Sequence, residues 1–176
     1  MSIDTKNDWF EETHENIALR FRVKERIMSE QSDFQKVELV ETYGHGKLLA
    51  HDGMIMVTEK DEFIYHDMIT HVPLYTHPNP KNVLVIGGGD GGTVRELFRH
   101  QSVEEIVMVE IDEKVIEASR LHLPQLSCEF DNPKLDLRIQ DGIQYLKECE
   151  AAAFDLIVID GSDPEGPAEG LFSVAF

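Results

Sequence analysis

The chain has 176 residues, 34 of them acidic and 16 basic, so its formal net charge is −18. This acidic excess argues against a general nucleic-acid binder or a partner of anionic membranes, because both need a basic surface. The length fits one large domain, or one domain with a small appendage, and a hydrophobic content of 41% is enough for a folded core.

Nothing in the sequence predicts a membrane protein or a secreted one. No stretch approaches the roughly 20 apolar residues of a membrane span, and the first residues lack the basic and apolar segments of a signal peptide. The two cysteines, Cys128 and Cys149, lack the spacing of a metal or redox motif. We therefore expect a cytoplasmic protein with two ordinary thiols.

The first part of the chain, residues 1–60, has the pattern of an N-terminal β-strand domain. Large apolar residues occupy every second position over 17–23, which is the period of a half-buried strand. Further β-like runs cover 37–42, 47–50 and 54–58, with turn signals between them. These runs predict a small antiparallel meander over residues 12–60.

A connecting helix and linker are predicted over residues 61–80. Apolar residues at helical spacing over 59–75 indicate the helix, and Thr58 with Asp61 has the form of a capping box. The helix is expected to end near Pro73, or at the latest at the prolines of 77–80.

From residue 81 onward, strands and helices alternate. Strands are predicted over 83–86, 106–109, 135–139 and 154–159, and helices over 93–100, 113–121 and 143–149. This alternation predicts an α/β fold with a doubly wound parallel sheet over 81–176. The sequence stops at Phe176 in what reads as the start of another helix, so we expect this domain to be incomplete and the chain to be C-terminally truncated.

A glycine loop, residues 87–92, directly follows the first of these strands. Gly87, Gly89 and Gly92 satisfy G-x-G-x-x-G, and Glu110 ends the next strand, where an acid commonly holds ribose hydroxyls. Asp90 within the loop disfavours a phosphate, so a cationic S-adenosyl sulfonium compound fits better than a dinucleotide. The alternative is that Asp90 only caps the helix that follows.

Acidic residues follow all four predicted strands of the parallel sheet: Asp90, Glu110, Asp141, Asp160 and Asp163. Each of them could singly be a turn or cap residue. Ligands bind beyond the carboxyl ends of such strands, however, so acids at four successive strand ends are expected to meet at one edge. Clustered carboxylates repel each other unless a cation lies between them. A polyamine is preferred to a metal ion, because His66 and His71 lack the spacing of an H-E-x-x-H pair and are interpreted as ordinary helix histidines.

Several motifs together resemble the spermidine synthase and polyamine aminopropyltransferase family. They are the run 83–92 with Arg95-Glu96, the segment 59–68 after Asp52-Gly53, Val109-Glu110-Ile111-Asp112, and 160–164 with 166–168 and Leu171-Phe172. The resemblance extends from about Trp9 to Phe176. It implies a methyltransferase-like Rossmann sheet and a homodimer or homotetramer.

The resemblance implies that an aminopropyl group passes from decarboxylated S-adenosylmethionine to putrescine, giving spermidine and methylthioadenosine with no cofactor or metal. Asp160 would accept the proton of the attacking amine. The other polyamine contacts would come from Tyr65, His66, Asp90 and Asp163. The methylthioadenosine part would be bound by Gln35, Gly87, Gly89, Glu110, Asp141, Gly142 and Pro167, with the ribose hydroxyls on Glu110 and the adenine amino group on Asp141.

Two departures from the family pattern, Gly161 and Met56, leave the choice between putrescine and other polyamines open. Two alternatives also remain: a putrescine N-methyltransferase that uses intact S-adenosylmethionine, and an inactive truncated relative that acts only as a binding module. Asp90 bears on the first alternative, because an acidic pocket repels the carboxylate of the intact donor and attracts the ammonium of the decarboxylated one.

Overall fold

The computed structural model describes residues 8–162, 166–174 and 176, and the chain divides into two compact units, Met1–Glu62 and Phe63–Phe176. The sequence predicts that the β-strand domain ends at residue 60 and that residues 61–80 form a connector. In the structure the helix that follows the meander belongs, from Phe63 onward, to the second unit.

The first unit contains a five-stranded antiparallel sheet whose strands follow one another in chain order. The strands are β1 (Trp9–His14), β2 (Ile17–Gln31), β3 (Lys36–Thr42), β4 (Gly46–His51) and β5 (Met54–Thr58). The buried side chains of one cluster form its core, namely Phe10, Val23, Val40, Leu48 and Ala50.

Two features of this sheet differ from the prediction: β1 was missed, and β2 continues well past Val23. The first half of β2 pairs with β1 and the second half with β3, so one long strand serves two partners. Irregularities in the β2–β3 register follow Val23 and Arg26. A bulge interrupts the alternation of side chains between the two faces, which is why the period-two pattern ends at Val23.

The predicted helix is α1 (Glu62–Thr76), and the Thr58 hydroxyl donates a hydrogen bond to Asp61 just before it. The helix passes Pro73 and ends directly before the prolines of 77–80, which is the later of the two predicted limits. Pro73 lies in the last turn, where its missing N–H removes a single helical hydrogen bond, and the helix continues to Thr76. The backbone N–H of His77 still donates to the carbonyl of Pro73 at 2.9 Å.

The face of α1 that is buried differs from the one that its apolar residues indicate. The buried residues are His66, Thr70 and Leu74, one every four positions. Five apolar residues indicate the helix. Ile69 packs against the core, and the other four are more than half exposed within the described chain: Phe63, Ile64, Met68 and Val72. The polar side chains on the buried face therefore help to build the interior of the second unit.

The second unit contains a four-stranded parallel sheet, so the predicted α/β fold is confirmed over the described residues. Its strands are β6 (Asn82–Gly87), β7 (Glu105–Glu110), β8 (Leu135–Ile139) and β9 (Leu156–Asp160), in the order β8-β7-β6-β9. Its further helices are α2 (Gly92–Leu97), α3 (Glu113–His122) and α4 (Gly142–Glu148), with short 3₁₀ segments at Ser127–Glu129 and Gly166–Phe172. The helix expected near the end of the sequence is thus a 3₁₀ segment.

Apolar side chains cover both faces of this sheet, as expected for parallel strands. One face packs with α1, α2 and α3 through a cluster that includes Leu74, Val94 and Ile116. The other face packs with α4 through Tyr145. Because β6 lies between β7 and β9, the loops that follow these three strands open at the same edge of the sheet.

No helix in the described part of the chain combines the length and the apolar character needed to cross a membrane.

Candidate active site

The glycine loop runs directly beside the end of β9. Gly87, the last residue of β6, is in register with Asp160, the last residue of β9. The backbone N–H of Gly88 donates to the carbonyl oxygen of Asp160 at 2.8 Å, and Gly88 has a φ of +76°. A β-carbon at Gly88 would lie 3.0 Å from Asp160 Oδ2. Glycine therefore lets the loop turn while leaving room for the carboxylate.

Asp160 is the most constrained acid of the site. Only 9% of its surface is exposed, and the Tyr65 hydroxyl donates a hydrogen bond to Oδ1 at 2.8 Å. Oδ2 is buried and makes no hydrogen bond of good geometry within the described residues. Burial raises the pKa of Asp160, and the neighbouring Asp90 raises it further, whereas Thr93, His66 and Tyr65 act to lower it. A raised pKa and an oxygen that makes no hydrogen bond suit a proton acceptor.

Tyr65 and His66 reach the site from adjacent positions on α1. Burial, together with the charges of Asp160 and Asp90, raises the pKa of Tyr65, so its phenol stays protonated and can donate to Asp160. His66 is almost fully buried, and its Nε2 lies 3.2 Å from Asp90 Oδ1. The helix thus supplies one side chain to each of two neighbouring carboxylates.

Asp90 also binds the start of α2. Its Oδ1 accepts a hydrogen bond from the backbone N–H of Gly92 at 2.6 Å, which is the capping contact considered as the alternative role. The same oxygen faces His66, so the contact with the helix does not exclude a position in the site. A β-carbon at Gly92 would collide with the His66 ring. Glycine at this position is therefore required for His66 to lie against the loop.

Glu110 ends β7 on the other side of the loop and is 8% exposed. The backbone N–H of Asp112 donates to Oε1 at 2.9 Å. Burial raises the pKa of Glu110 to about 7; the charges of Asp112 and Asp160 add to this rise, and backbone N–H groups oppose it. Oε2 faces Gly89, where a β-carbon would approach it to 2.9 Å. The glycine loop therefore passes between Asp160 and Glu110.

Asp141 and Gly142 lie at the start of α4. Asp141 is its N-cap, and Oδ1 accepts hydrogen bonds from the backbone N–H groups of Ile143 at 2.8 Å and Gln144 at 3.1 Å. Gly142 is buried against the Ile86 side chain, which leaves no space for a β-carbon. Asp141 thus has a structural role, and adenine recognition by Asp141 stays a prediction.

Three predicted site residues are not brought to this site by the described contacts. Gln35 lies in the first unit, in the turn between β2 and β3, where its carbonyl oxygen accepts a hydrogen bond from the Ser32 backbone at 2.9 Å. Asp163 lies outside the described residues. Pro167 belongs to a 3₁₀ segment, and its side chain is also outside the described part. Their roles stay predictions.

Thr93 is a neighbour of Asp160 that the sequence reading did not assign. It is fully buried in the first turn of α2 and acts to lower the pKa of Asp160. Nothing in the local pattern distinguishes it from any other threonine in a first turn, because its role depends on the approach of β9 to α2.

A second polar cluster joins α1 and α2 through Asp67, His71 and Glu96. From the sequence alone, His71 is expected to be an ordinary helix histidine. The spacing of four residues between Asp67 and His71 places both on one face of α1 and could have indicated this cluster. Glu96 comes from α2 and could not have been paired with them from sequence spacing.

Two protein families match the chain, and their boundaries fall close to those of the two units. The spermidine synthase tetramerisation domain matches residues 8–59, and the spermine/spermidine synthase domain matches residues 62–176. The second match covers more than half of the chain.

Individual relatives give the same result. The chain is 56% identical over 169 residues to a polyamine aminopropyltransferase of Methanocaldococcus jannaschii, and 54% identical over 169 residues to one of Alkaliphilus metalliredigens. Each alignment covers 96% of this chain, but 57% and 59% of the two relatives. The chain therefore spans about three fifths of the length of the curated relatives it matches.

A solved structure is similar over the same extent. A crystal structure of spermidine synthase in complex with the transition-state analogue AdoDATO superposes with a TM-score of 0.92 and 44% sequence identity. The match covers 96% of this chain and 58% of that one.

Proposed function

The chain belongs to the spermine/spermidine synthase family, and from this premise we propose that the protein is an aminopropyltransferase. It would transfer the aminopropyl group of decarboxylated S-adenosylmethionine to putrescine, giving spermidine and methylthioadenosine. The observation that carries the proposal is the buried Asp160. Tyr65 orients it, and its second oxygen, beside the glycine loop, makes no hydrogen bond within the described part of the chain.

The chemistry needs alignment and a free amine more than it needs acid catalysis. The amine nitrogen attacks the aminopropyl carbon bonded to sulfur, the new C–N bond forms as the C–S bond breaks, and the electron pair leaves with sulfur as a neutral thioether. The sulfonium is already a good leaving group. The acceptor, however, is an ammonium with a pKa near ~10, as for lysine, and is not nucleophilic until it loses a proton.

Asp160 accepts that proton in our proposal. Burial and the nearby Asp90 charge hold its pKa above the ordinary value, which makes it a better base than a solvated carboxylate. Asp90, with His66 against it, binds the amine chain and favours the ammonium end of the decarboxylated donor. We assign Asp163 to the polyamine by resemblance alone.

Glu110 binds the ribose hydroxyls in this proposal. It ends the strand next to the glycine loop, and its Oε2 faces Gly89, so a nucleoside lying over the loop would reach it. Gly87, Asp141, Gly142, Gln35 and Pro167 are proposed to complete the nucleoside site, as the family resemblance implies.

No cofactor or metal is proposed for the transfer itself, because decarboxylated S-adenosylmethionine is a co-substrate that carries its own activated leaving group. We propose a homo-oligomer, a dimer or a tetramer, since residues 8–59 match a tetramerisation domain. We also propose a cytoplasmic location, consistent with the two free thiols, Cys128 and Cys149.

The test is a donor competition with the full-length protein, in which decarboxylated and intact S-adenosylmethionine are offered together with putrescine. Only the decarboxylated donor should be turned over. Turnover of the intact donor alone would instead identify a putrescine N-methyltransferase.

The Asp160→Asn variant should lower turnover about 10²–10⁴-fold and leave methylthioadenosine binding intact. Asp136→Asn, a half-exposed acid in β8 paired with Arg138, serves as the matched control and should keep its rate. A near-normal rate for Asp160→Asn would remove Asp160 from the role of base.

A further inference from the structure

The polar cluster of Asp67, His71 and Glu96 lies away from the glycine loop. Asp67 and His71 share one face of α1, and Glu96 comes from α2, one turn beyond the residues that face His66. None of the three has a part in the proposed transfer. We propose that this cluster is a divalent metal site of the zinc class that ties α1 to α2.

The distances among the three ligand atoms fit a single small cation. His71 Nε2 lies 3.4 Å from Asp67 Oδ1 and 3.3 Å from Glu96 Oε2, and all three atoms lie within 4.8 Å of one another. Ligands held at about 2.0–2.2 Å around a tetrahedral Zn²⁺ are about 3.3–3.6 Å apart. Ordinary charge-assisted hydrogen bonds would be shorter, about 2.7–2.9 Å.

The chemistry of the three groups also fits this class of metal. One imidazole nitrogen and two carboxylate oxygens are typical zinc ligands, and a water molecule would complete the tetrahedron. Glu96 is 4% exposed, so it is fixed before a metal arrives. Ca²⁺ or Mg²⁺ would prefer more oxygen ligands and no imidazole.

His100 supports the ligand histidine from behind. Its Nε2 lies 2.8 Å from Nδ1 of His71, so it can orient the ring and leave Nε2 of His71 for the metal. The second nitrogen of a metal-bound histidine regularly makes a hydrogen bond, most often to a carboxylate, a backbone carbonyl or water, and His100 would be the partner here.

Arg99 competes with the metal for Glu96. Its Nη1 donates to Glu96 Oε2 at 2.5 Å, and its side chain is 65% exposed. A bound cation would require this guanidinium to swing into solvent, whereas Arg95 can remain on the other oxygen, Oε1, at 2.8 Å. If the cluster is a metal site, removing the Arg99 guanidinium should therefore strengthen metal binding. If it is only a set of salt bridges, no such effect is expected.

The experiment measures Zn²⁺ binding to the metal-free full-length protein by calorimetry with a competing chelator, and its thermal stability with and without Zn²⁺. One Zn²⁺ should bind and raise the melting temperature, because a ligand of the folded state stabilises it. Co²⁺ should give the visible absorption of a tetrahedral site.

Two ligand variants and one competitor variant test the assignment. His71→Gln and Asp67→Asn should each lower the affinity by at least the roughly 10–100-fold that loss of an outer-shell partner costs, and Arg99→Gln should tighten it. His122→Gln, in the last turn of α3, is the control and should bind as the parent does. Asp67 is nearly half exposed, so its variant tests the site even if His71→Gln fails to fold.

The proposal is overturned if the parent shows no saturable Zn²⁺ binding, or if Asp67→Asn binds as tightly as His122→Gln. It is also overturned if Arg99→Gln leaves the affinity unchanged. These measurements do not use the transferase assay, so the metal site and the proposed function succeed or fail separately.

Discussion

Opposing influences act on the Asp160 carboxyl group. Burial and the charge of Asp90 raise its pKa, while Thr93, His66 and Tyr65 lower it, and the net direction is upward. The Tyr65 hydroxyl donates a hydrogen bond to Oδ1, and the other oxygen, although buried, makes no hydrogen bond to the residues that the structure describes. Tyr65 therefore sets both the orientation and the basicity of the proposed base.

Replacing Tyr65 by phenylalanine should shift the acidic limb of the pH profile of kcat/KM toward higher pH. The variant loses a hydrogen bond that stabilises the charged form of Asp160, so the pKa of Asp160 rises. The carboxylate that accepts the proton then forms only at higher pH. The measurement is kcat/KM for putrescine as a function of pH in the full-length protein.

Tyr75→Phe is the matched control, because Tyr75 lies on the same helix and is 81% exposed. Its profile should coincide with that of the parent. If Tyr65→Phe left the acidic limb in place, the hydrogen bond to Asp160 would have no bearing on the base.

Glu110 should make the free protein less stable as the pH rises through neutrality. Its pKa in the folded state is about 7, above the ordinary value of 4.5, so the folded state holds a proton that the unfolded chain has released. The stabilisation is complete below about pH 4.5 and is lost as the pH rises through about 7. A difference of this size corresponds to about 3 kcal/mol.

Unfolding of the parent and of Glu110→Gln, measured without nucleoside between pH 5 and 8, checks this expectation. The loss of stability with pH should be smaller in the variant, and the variant should also bind methylthioadenosine more weakly. Glu113→Gln, an exposed acid three residues further on, should behave as the parent. Equal slopes for parent and Glu110→Gln would contradict the assignment.

Residues at the ends of strands were the most predictable part of the site. Asp90, Glu110 and Asp160 follow apolar runs that the sequence shows directly, and parallel strands bring such ends to one edge. The contacts from Thr93 and from Tyr65 could not be predicted from spacing, because they depend on how α1 and α2 pack against β9. The bond from Asp141 to its own helix is local, and a cap is one of the two roles that the sequence leaves open for this residue.

At the level of elements, α1 shows what periodicity can and cannot indicate. Helical spacing of apolar residues located the helix, but the buried face carries His66, Thr70 and Leu74 instead. A repeat of about four residues is the same for any face, so the pattern identifies a helix more reliably than its orientation. The strands β6 and β7 are easier to predict from the sequence, because both faces of the sheet are covered and nearly every residue is apolar.

The start of α2 should not tolerate a side chain at Gly92. In Gly92→Ala the new β-carbon would overlap the His66 ring, so either the helix or the histidine must move. Overpacking of this kind lowers the free energy of unfolding by about 1–3 kcal/mol. The displaced His66 should also raise KM for the amine more than for the nucleoside donor.

Denaturant unfolding and the two KM values of the full-length protein test this prediction. Gly44→Ala is the control, because a β-carbon there meets nothing within 4 Å, and its stability should change by less than about 0.5 kcal/mol. An unchanged KM for the amine in Gly92→Ala would separate His66 from the acceptor site.

For the whole molecule, the acids behind the net charge of −18 fall into two groups, one on the surface and one in the candidate site. The two groups should respond differently to salt. Most of the acids lie on the surface and repel one another over distances that salt screens. Asp160 and Glu110 are buried and lie near each other and Asp90, where bulk salt screens little. The effect of any cation on the melting temperature, through screening of surface charge, should therefore be separable from the effect of a cation that binds in the site.

Raising the ionic strength from about 0.01 M to about 0.3 M should increase the melting temperature of the full-length protein, equally for sodium chloride and choline chloride. Putrescine at matched ionic strength, with methylthioadenosine present, should add a further increase, because a specific ligand of the folded state stabilises it. Asp160→Asn should keep the salt effect and lose most of the putrescine increment. If putrescine acted no differently from choline, the net charge would be a surface property only, and the cluster of acids at the strand ends would need another cation.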